Sequence, residues 1–508
     1  MMVKDILKGC DVIKRIMADD ILERDILGIA YDSRQVKDDY IFVAISGAHV
    51  DGHTFIREAA EKGATVIVGE QEASTGEARY ILVEDSRKAL ACMANNFYGR
   101  PSESLEICGI TGTNGKTTTA FILKSILESW GKNVGVIGTI RYLIGNKEYP
   151  AFHTTPEAPE FQGLLREMVV AGCTHAVAEI SSHALAQHRV ENTVFRTAVF
   201  TNLTRDHLDF HETMEDYFRA KERLFIDLLD RNGTAIINCD DGYGRRLASQ
   251  LKESSPDRSV ITYGFHRDAD IVACSERITP RGTQFTIQFR KARYEISSQL
   301  LGLPNIYNMM SAAAAAYSLG VPWETIVIGI SGMGTVPGRF EKVEAGQGFL
   351  CILDYAHTED ALERVITSAR RLITRTEDSV ENGSPYGEPR IISVFGCGGD
   401  RDRGKRPRMG EVSSKLSDFV IITSDNPRSE DPLEIIRQME EGMVKDNYLI
   451  EPDRRKAIQK AVQIARDGDI VLVAGKGHED YQIIGERKIH FDDREEAAAA
   501  LKTRERER

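Results

Sequence analysis

The sequence predicts an α/β protein of three domains, and three observations predict it: the length, the alternation of strand-like with helix-like segments, and a glycine-rich turn joining a strand to a helix. A chain of 508 residues is long enough for about three domains of ordinary size. Hydrophobic residues make up 42% and charged residues 28%, a balance that can bury sizeable cores. The reading divides the chain into a small α/β N-terminal domain (residues 1–106), a central P-loop domain on a parallel sheet (107–337) and a C-terminal Rossmann-like α/β domain (338–508).

In the first domain, residues 40–44 and 65–68 read as strands, and a helix around 55–62 is closed by Gly63. The second opens with a strand at 105–110, then the glycine-rich turn, then a helix over 116–130 ended by Gly131. Further buried-type strands fall at 176–180, 197–201 and 234–238, which implies a parallel sheet covered on both faces. The alanine-rich stretch 311–319 reads as a helix capped by Gly320, and the turn-like 332–338 suits a hinge. The third domain repeats the alternation, with strands at 350–353, 390–394, 419–423 and 470–474. Residues 374–389 are polar and read as a surface loop, and the charge-rich tail 502–508 as frayed.

A formal net charge of -12 excludes nucleic acid as a main partner, because phosphate backbones are held by an excess of lysine and arginine. Any anionic substrate must be bound by local groups. The eight cysteines are scattered singly, as reduced thiols in a cytoplasm would be. Residues 1–14 lack the apolar core of a signal peptide, and no run of about 18 apolar residues occurs, so no membrane insertion is expected. The expectation is a cytoplasmic monomer acting on small molecules.

Gly112-Thr113-Asn114-Gly115-Lys116-Thr117-Thr118 lies between a strand and a helix. Glycines let successive backbone N–H groups face a polyphosphate. The helix N-terminus adds its dipole, Lys116 a point charge, and the Thr117 hydroxyl a magnesium ligand. The longer phosphate-loop pattern fails, since Ile110 stands where its first glycine would be. A phosphate loop indicates a nucleotide and leaves a kinase, a motor or a switch open.

Glu179 and His207 each follow a buried-type strand, on the edge where α/β sheets place ligands. Glu179 is a suitable hard oxygen ligand for magnesium. A histidine in such a turn is more often structural. Lys221 reads most simply as a solvated helix lysine, because an ammonium cannot ligate a cation.

With these stand Glu179-Ile180-Ser181-Ser182-His183-Ala184-Leu185, the run 202–209, Tyr217-Phe218-Arg219-Ala220-Lys221, the run 303–308, Pro337-Gly338-Arg339-Phe340-Glu341 and Asp354-Tyr355-Ala356-His357. In this order they resemble the motifs of the Mur ligase family, over essentially the whole chain. The resemblance is strongest to members that add the third amino acid of a cell-wall peptide. It implies ATP-dependent ligation of meso-diaminopimelate to UDP-N-acetylmuramoyl-L-alanyl-D-glutamate, with the central domain as the ATPase domain. It also implies a carbamoylated Lys221, so that Thr117 and Glu179 hold one Mg2+ while Glu179, His207 and Lys221 hold a second.

By the same resemblance, Ser33 and the loop with Ala48, His49 and Val50 take the uridine-diphosphate end, and Thr154, Thr155, Ser181, Gln187 and Arg189 also contact that substrate. Asn305 and Asn308 face the adenine side of ATP, and Arg339 and His357 its phosphates or ribose. Two departures stand out: Glu359 replaces the usual proline after Thr358, and His153 replaces an asparagine found in some relatives. The amino-acid end is more legible. Arg401, then Asp425, Asn426, Pro427 and Arg428, then Gly475 and Glu479 each follow a strand. Two guanidinium forks and nearby carboxylates suit a zwitterion with a second carboxylate. L-lysine as the added amino acid, folylpolyglutamate synthesis and a non-enzymatic nucleotide switch are the alternatives.

Overall fold

The computed structural model describes residues 1–16, 19–47, 50–71, 79–254, 257–374 and 388–507. The chain forms two compact units, Met1–Val272 with Asn308–Gly329, and Ala273–Tyr307 with Ile330–Arg508.

The first unit contains two sheets. Strands β1 (Val12–Ile16), β2 (Gly28–Ala30), β3 (Tyr40–Val43), β4 (Ala64–Gly69) and β5 (Arg79–Val83) pair in the order β1-β5-β4-β3-β2. All are parallel except β1, which is antiparallel to β5. Helix Ser86–Phe97 begins where the Asp85 carboxylate accepts from the backbone N–H groups of Arg87 (2.9 Å) and Lys88 (3.0 Å).

The second sheet is built from β6 (Glu106–Thr111), β7 (Val134–Ile137), β8 (Arg141–Ile144), β9 (Lys147–Pro150), β10 (His175–Glu179), β11 (Phe195–Phe200), β12 (Leu229–Asn238) and β13 (Ser259–Gly264), in the order β13-β12-β11-β6-β10-β7-β8-β9. The six strands from β13 to β7 run parallel, and their near-continuous apolar sequences bury on both faces. Gly109 in β6 is required by packing: a Cβ there would stand 2.7 Å from the Phe195 ring.

β14 (Ile271–Thr279) starts beside β13 and continues into the second unit, which adds β15 (Gly282–Phe289) and β16 (Ala292–Ser298), an antiparallel pair. Its main sheet comprises β17 (Glu341–Val343), β18 (Leu350–Asp354), β19 (Ile391–Phe395), β20 (Phe419–Ile422), β21 (Tyr448–Ile450) and β22 (Ile470–Ala474), ordered β17-β18-β22-β19-β20-β21. All but β17 are parallel. A hairpin, β23 (Tyr481–Ile484) with β24 (Arg487–His490), follows.

One expectation needs correction. The tail continues helix Asp493–Glu507, because Ala497, Ala500 and Leu501 bury beneath it and Arg504 caps the carbonyls of Val462 and Ala465. Strand β14 and the antiparallel pair β15–β16 match no expectation from the sequence: the mixed burial pattern of β14 resembles neither a buried strand nor an amphipathic helix. Most of the polar stretch 374–389 lies outside the described residues, and Thr374 ends helix Glu359–Thr374.

Candidate functional site

In the first unit β6 lies between β10 and β11, all three parallel. The phosphate loop, Glu179 and Asn202 therefore emerge at one sheet edge. Gly112 (φ +142°) and Gly115 (φ +91°) adopt left-handed backbone, and a Cβ would strike Thr201 Oγ1 at the first and Asn308 Oδ1 at the second. The loop is pinned to the chain after β11. The Thr113 N–H donates to Asn202 O (2.8 Å) and the Asn114 N–H to Asn202 Oδ1 (3.0 Å). Thr201 Oγ1 donates to Asn114 O (2.7 Å), and Tyr217 Oη lies 3.2 Å from Thr113 Oγ1. Thr117 and Thr118 are buried on the first turn of helix Lys116–Ser129.

Two lysines converge here. Lys116 Nζ donates to Gly112 O and Thr113 O, both at 2.9 Å, and Lys221 Nζ donates to the same Gly112 O at 3.0 Å. Lys221 is only 1% exposed, so a solvated helix lysine does not describe it. Burial, and then the charge of Lys116, hold its pKa well below the ordinary lysine value. Its amine also lies 4.6 Å from the centre of the Tyr217 ring.

Glu179 is fully buried: Thr117 Oγ1 donates to Oε2 (2.8 Å), the Thr139 N–H to Oε1 (2.9 Å) and Thr139 Oγ1 to Oε2 (3.0 Å). His207, at φ +54°, places its ring 4.8 Å from that of His183 and 6.1 Å from that of Tyr217. The four metal candidates thus form a hydrogen-bonded pair, Thr117 with Glu179, and a pair meeting at Tyr217, His207 with Lys221. Among the described residues no three His, Cys, Asp or Glu side chains are gathered as metal ligands. The donor chemistry fits magnesium at Thr117 and Glu179, both hard oxygen ligands, and at Lys221 only once its amine carries an oxygen group.

The substrate candidates of this unit are also linked. Thr154 Oγ1 lies 3.0 Å from Thr139 Oγ1, and Thr155 Oγ1 donates to Glu179 O (2.8 Å) while accepting from the Ser181 N–H (3.0 Å). The Arg189 guanidinium donates to Thr155 O (3.0 Å) and Gln187 Oε1 (2.6 Å) and pairs with Glu157 (2.9 Å). Ser33 donates to Glu58 at 3.3 Å, and Val50 is exposed. Ala48 and His49 lie outside the described residues. Of the ATP candidates, Asn308 packs against Gly115. Asn305, Arg339 and His357 belong to the second unit. There Arg339 lies 4.8 Å over the Tyr355 ring, His357 Nδ1 is 2.8 Å from Tyr355 O, and Asn305 donates to Leu301 O (2.8 Å).

The second unit assembles the amino-acid candidates at adjacent strand ends. Asn426 donates to Glu479 Oε2 (2.8 Å) and accepts from the Ile483 N–H (3.0 Å) and the fully buried Lys476 (3.2 Å). Burial, then the Asp425 charge, push the Glu479 carboxyl upward, against which Lys476 acts. Arg428 (φ +51°) donates through Nη1 to Gly399 O at 2.7 Å. A Cβ on Gly398 would stand 2.8 Å from Arg428 Nη1 and 3.9 Å from Arg401 Cγ, so both arginines border that glycine. Pro427 is buried. Gly475 (φ +118°) leaves room for Asp425, whose Oδ2 would lie 2.8 Å from a Cβ. Sequence reasoning missed Thr139, for which no motif gives a signal, and Lys476, whose flanking glycines after a strand were one.

Fold and site define a P-loop α/β protein with a second parallel-sheet unit that carries clustered arginines and carboxylates. Residues 110–316 match the Mur ligase middle domain, 338–477 the Mur ligase, glutamate ligase domain, and 25–98 the Mur ligase family, catalytic domain. The UDP-N-acetylmuramoyl-L-alanyl-D-glutamate–2,6-diaminopimelate ligase of Solibacter usitatus is 44% identical over 492 residues, 96% of each chain. The like-named ligase of Clostridium botulinum is 45% identical over 93% of this chain and 94% of its own. A solved structure with the same ligase name aligns over 99% of each chain, with 31% identity and a TM-score of 0.71. A folylpolyglutamate synthase of Mycobacterium tuberculosis shares the fold at 16% identity, with a TM-score of 0.62 over 77% of this chain and 93% of its own. The chain belongs to the Mur ligase family.

Proposed function

We propose that this chain is an ATP-dependent ligase joining meso-2,6-diaminopimelate to UDP-N-acetylmuramoyl-L-alanyl-D-glutamate. The observation that carries the reading is the cluster of Arg401 and Arg428 around Gly398, beside Asp425, Asn426 and Glu479. Guanidinium forks bind carboxylates bidentately, and the neighbouring carboxylates suit ammonium groups. Relatives of that name, 44–45% identical over nearly the whole chain, support it. In this reading residues 1–106 hold the uridine nucleotide, 107–337 ATP and 338–508 the amino acid.

The D-glutamyl carboxylate attacks the γ-phosphorus of ATP, giving an acyl phosphate and ADP. The amine of diaminopimelate then attacks the acyl carbon, losing a proton as phosphate leaves. Lys116 exchanges its loop carbonyls for phosphate oxygens and offsets their charge. Backbone N–H groups around Gly112 to Thr118 orient the phosphates, while Thr155, Ser181 and Arg189 orient the acyl substrate. Magnesium, when bound through Thr117 and Glu179, supplies further charge neutralisation on the phosphates.

Carbamoylation of Lys221 belongs to the same proposal. A neutral amine adds to carbon dioxide, an N–C bond forms and one proton leaves. Burial beside Lys116 lowers the Lys221 pKa and so favours that neutral amine. The carbamate is an anionic oxygen donor, as a cation site requires. The test is phosphate release in the presence of ATP, the uridine nucleotide and diaminopimelate. Turnover is expected only with all three; an equal rate with ATP alone would leave a nucleotide switch.

A further inference from the structure

Arg454 and Asp493 form an ion pair in which both side chains are 0% exposed. Neither residue belongs to the site described above, and a buried ion pair is weak evidence for stability, because desolvation offsets the attraction. Its position suggests another role. Arg454 opens helix Arg454–Ile464 and Asp493 opens helix Asp493–Glu507. Asp493 receives Arg454 Nε (2.7 Å) and Nη2 (2.6 Å) in a bidentate fork.

The remaining donors of Arg454 go to two strand ends. Nη2 donates to Ala474 O (3.0 Å), the last residue of β22, and Nη1 reaches Ser424 O (3.4 Å), just beyond β20. These strands flank β19. The residues that follow are Gly475 in one case and Asp425 in the other, so the guanidinium spans the roots of two amino-acid loops. A Cβ on Gly475 would stand 2.8 Å from Asp425 Oδ2 and 3.8 Å from Arg454 Nη2, which places cation, carboxylate and glycine together. Burial opposes the Arg454 charge, while Asp493, Asp425 and Glu479 sustain it.

We propose that Arg454, held by Asp493, is a positioning residue for the amino-acid subsite. It fixes the spacing of the loops bearing Asp425 and Glu479 and supplies the buried positive charge that lets two neighbouring carboxylates receive the ammonium groups of the incoming amino acid. The inference rests on the amino-acid reading of that site. An arginine suits the task, since its planar fork engages Asp493 while other donors reach two carbonyls, and a lysine ammonium has three donors on one atom.

The test compares the unmodified enzyme with Arg454→Lys and with the double variant Arg454→Met/Asp493→Leu, in which apolar groups replace the buried pair so that neither member is left as a charge without its partner. Steady-state phosphate release gives KM for each substrate, and a cooperative melt establishes folding. In the double variant KM for diaminopimelate should rise at least about tenfold while KM for ATP and for the uridine nucleotide stays within about twofold; Arg454→Lys should restore only part of the loss. An unchanged KM for diaminopimelate overturns the proposal, as does a parallel rise of all three constants or failure of both variants to fold. Arg428→Ala, measured alongside, separates the two readings. If it leaves KM for diaminopimelate unaltered, the amino-acid assignment itself fails; if it raises KM while the double variant does not, only the role of Arg454 fails.

Discussion

Replacing Arg428 by alanine should remove the preference for meso-diaminopimelate over L-lysine. The two amino acids differ by one distal carboxylate, so the effect is the worth of the bonds that carboxylate makes. Arg428 is half-buried, with Nη1 donating to Gly399 O and with Arg401 across Gly398. A carboxylate presented there can take about two charge-assisted hydrogen bonds, each worth roughly 1.5–3 kcal/mol. The sum, about 3–6 kcal/mol, corresponds to a discrimination of roughly 10²–10⁴ in kcat/KM at about 1.4 kcal/mol per decade. Partial exposure of Arg428 favours the lower half of that range, because water can solvate a fork left unpaired. Arg428→Ala should therefore lower kcat/KM for diaminopimelate by about 10² or more and leave that for L-lysine within a few-fold. Steady-state phosphate release with each amino acid reads both numbers. Comparable efficiency with L-lysine in the unmodified enzyme would refute the assignment and leave the ligase chemistry standing.

Lys116→Ala should keep a cooperative melt, since this lysine bonds the loop carbonyls of Gly112 and Thr113 on the part-buried loop surface, yet lose most phosphate release; near-normal turnover would remove the phosphate loop from the mechanism. Lys221→Ala should be nearly inactive, and small carboxylic acids in solution should partly restore turnover by standing in for a carbamate oxygen. Intact mass measured under carbon dioxide provides the check, and a plain amine in the active enzyme would count against carbamoylation. His175 offers a pH test away from the site: burial, then the charge of Lys132, lower its pKa to about 4. The unfolded chain, titrating near 6.5, binds the extra proton between those values, so this group costs stability as pH falls through that window. His175→Phe should therefore narrow the drop in melting temperature between pH 7.5 and pH 5, by an amount equivalent to about 1–2 kcal/mol. An unchanged drop would show that His175 does not carry that acid sensitivity.

Much of this architecture is legible because parallel strands bury on both faces. The strand over residues 470–474 matches β22, and the phosphate loop is readable from its glycines with Lys116 and Thr117 between a strand and a helix. Helix Leu303–Ser318 begins earlier than its alanine run, since Pro304 is tolerated in a first turn. Charged groups are harder, because their burial depends on which helix face meets the sheet. Lys221 is instructive here. It shares a stripe with Tyr217, Phe218, Leu224 and Phe225, all buried, so the helical period already placed it inward while its charge argued for solvent. Arg454 carried no comparable signal: its partners Ser424, Ala474 and Asp493 lie 20–39 residues away in sequence and meet only where the strand ends converge. A buried lysine on an apolar stripe can be suspected from spacing; a buried arginine that ties loop roots together becomes visible only in the folded chain, because two of its partners are backbone carbonyls that no side-chain pattern marks and the third, Asp493, is remote in sequence.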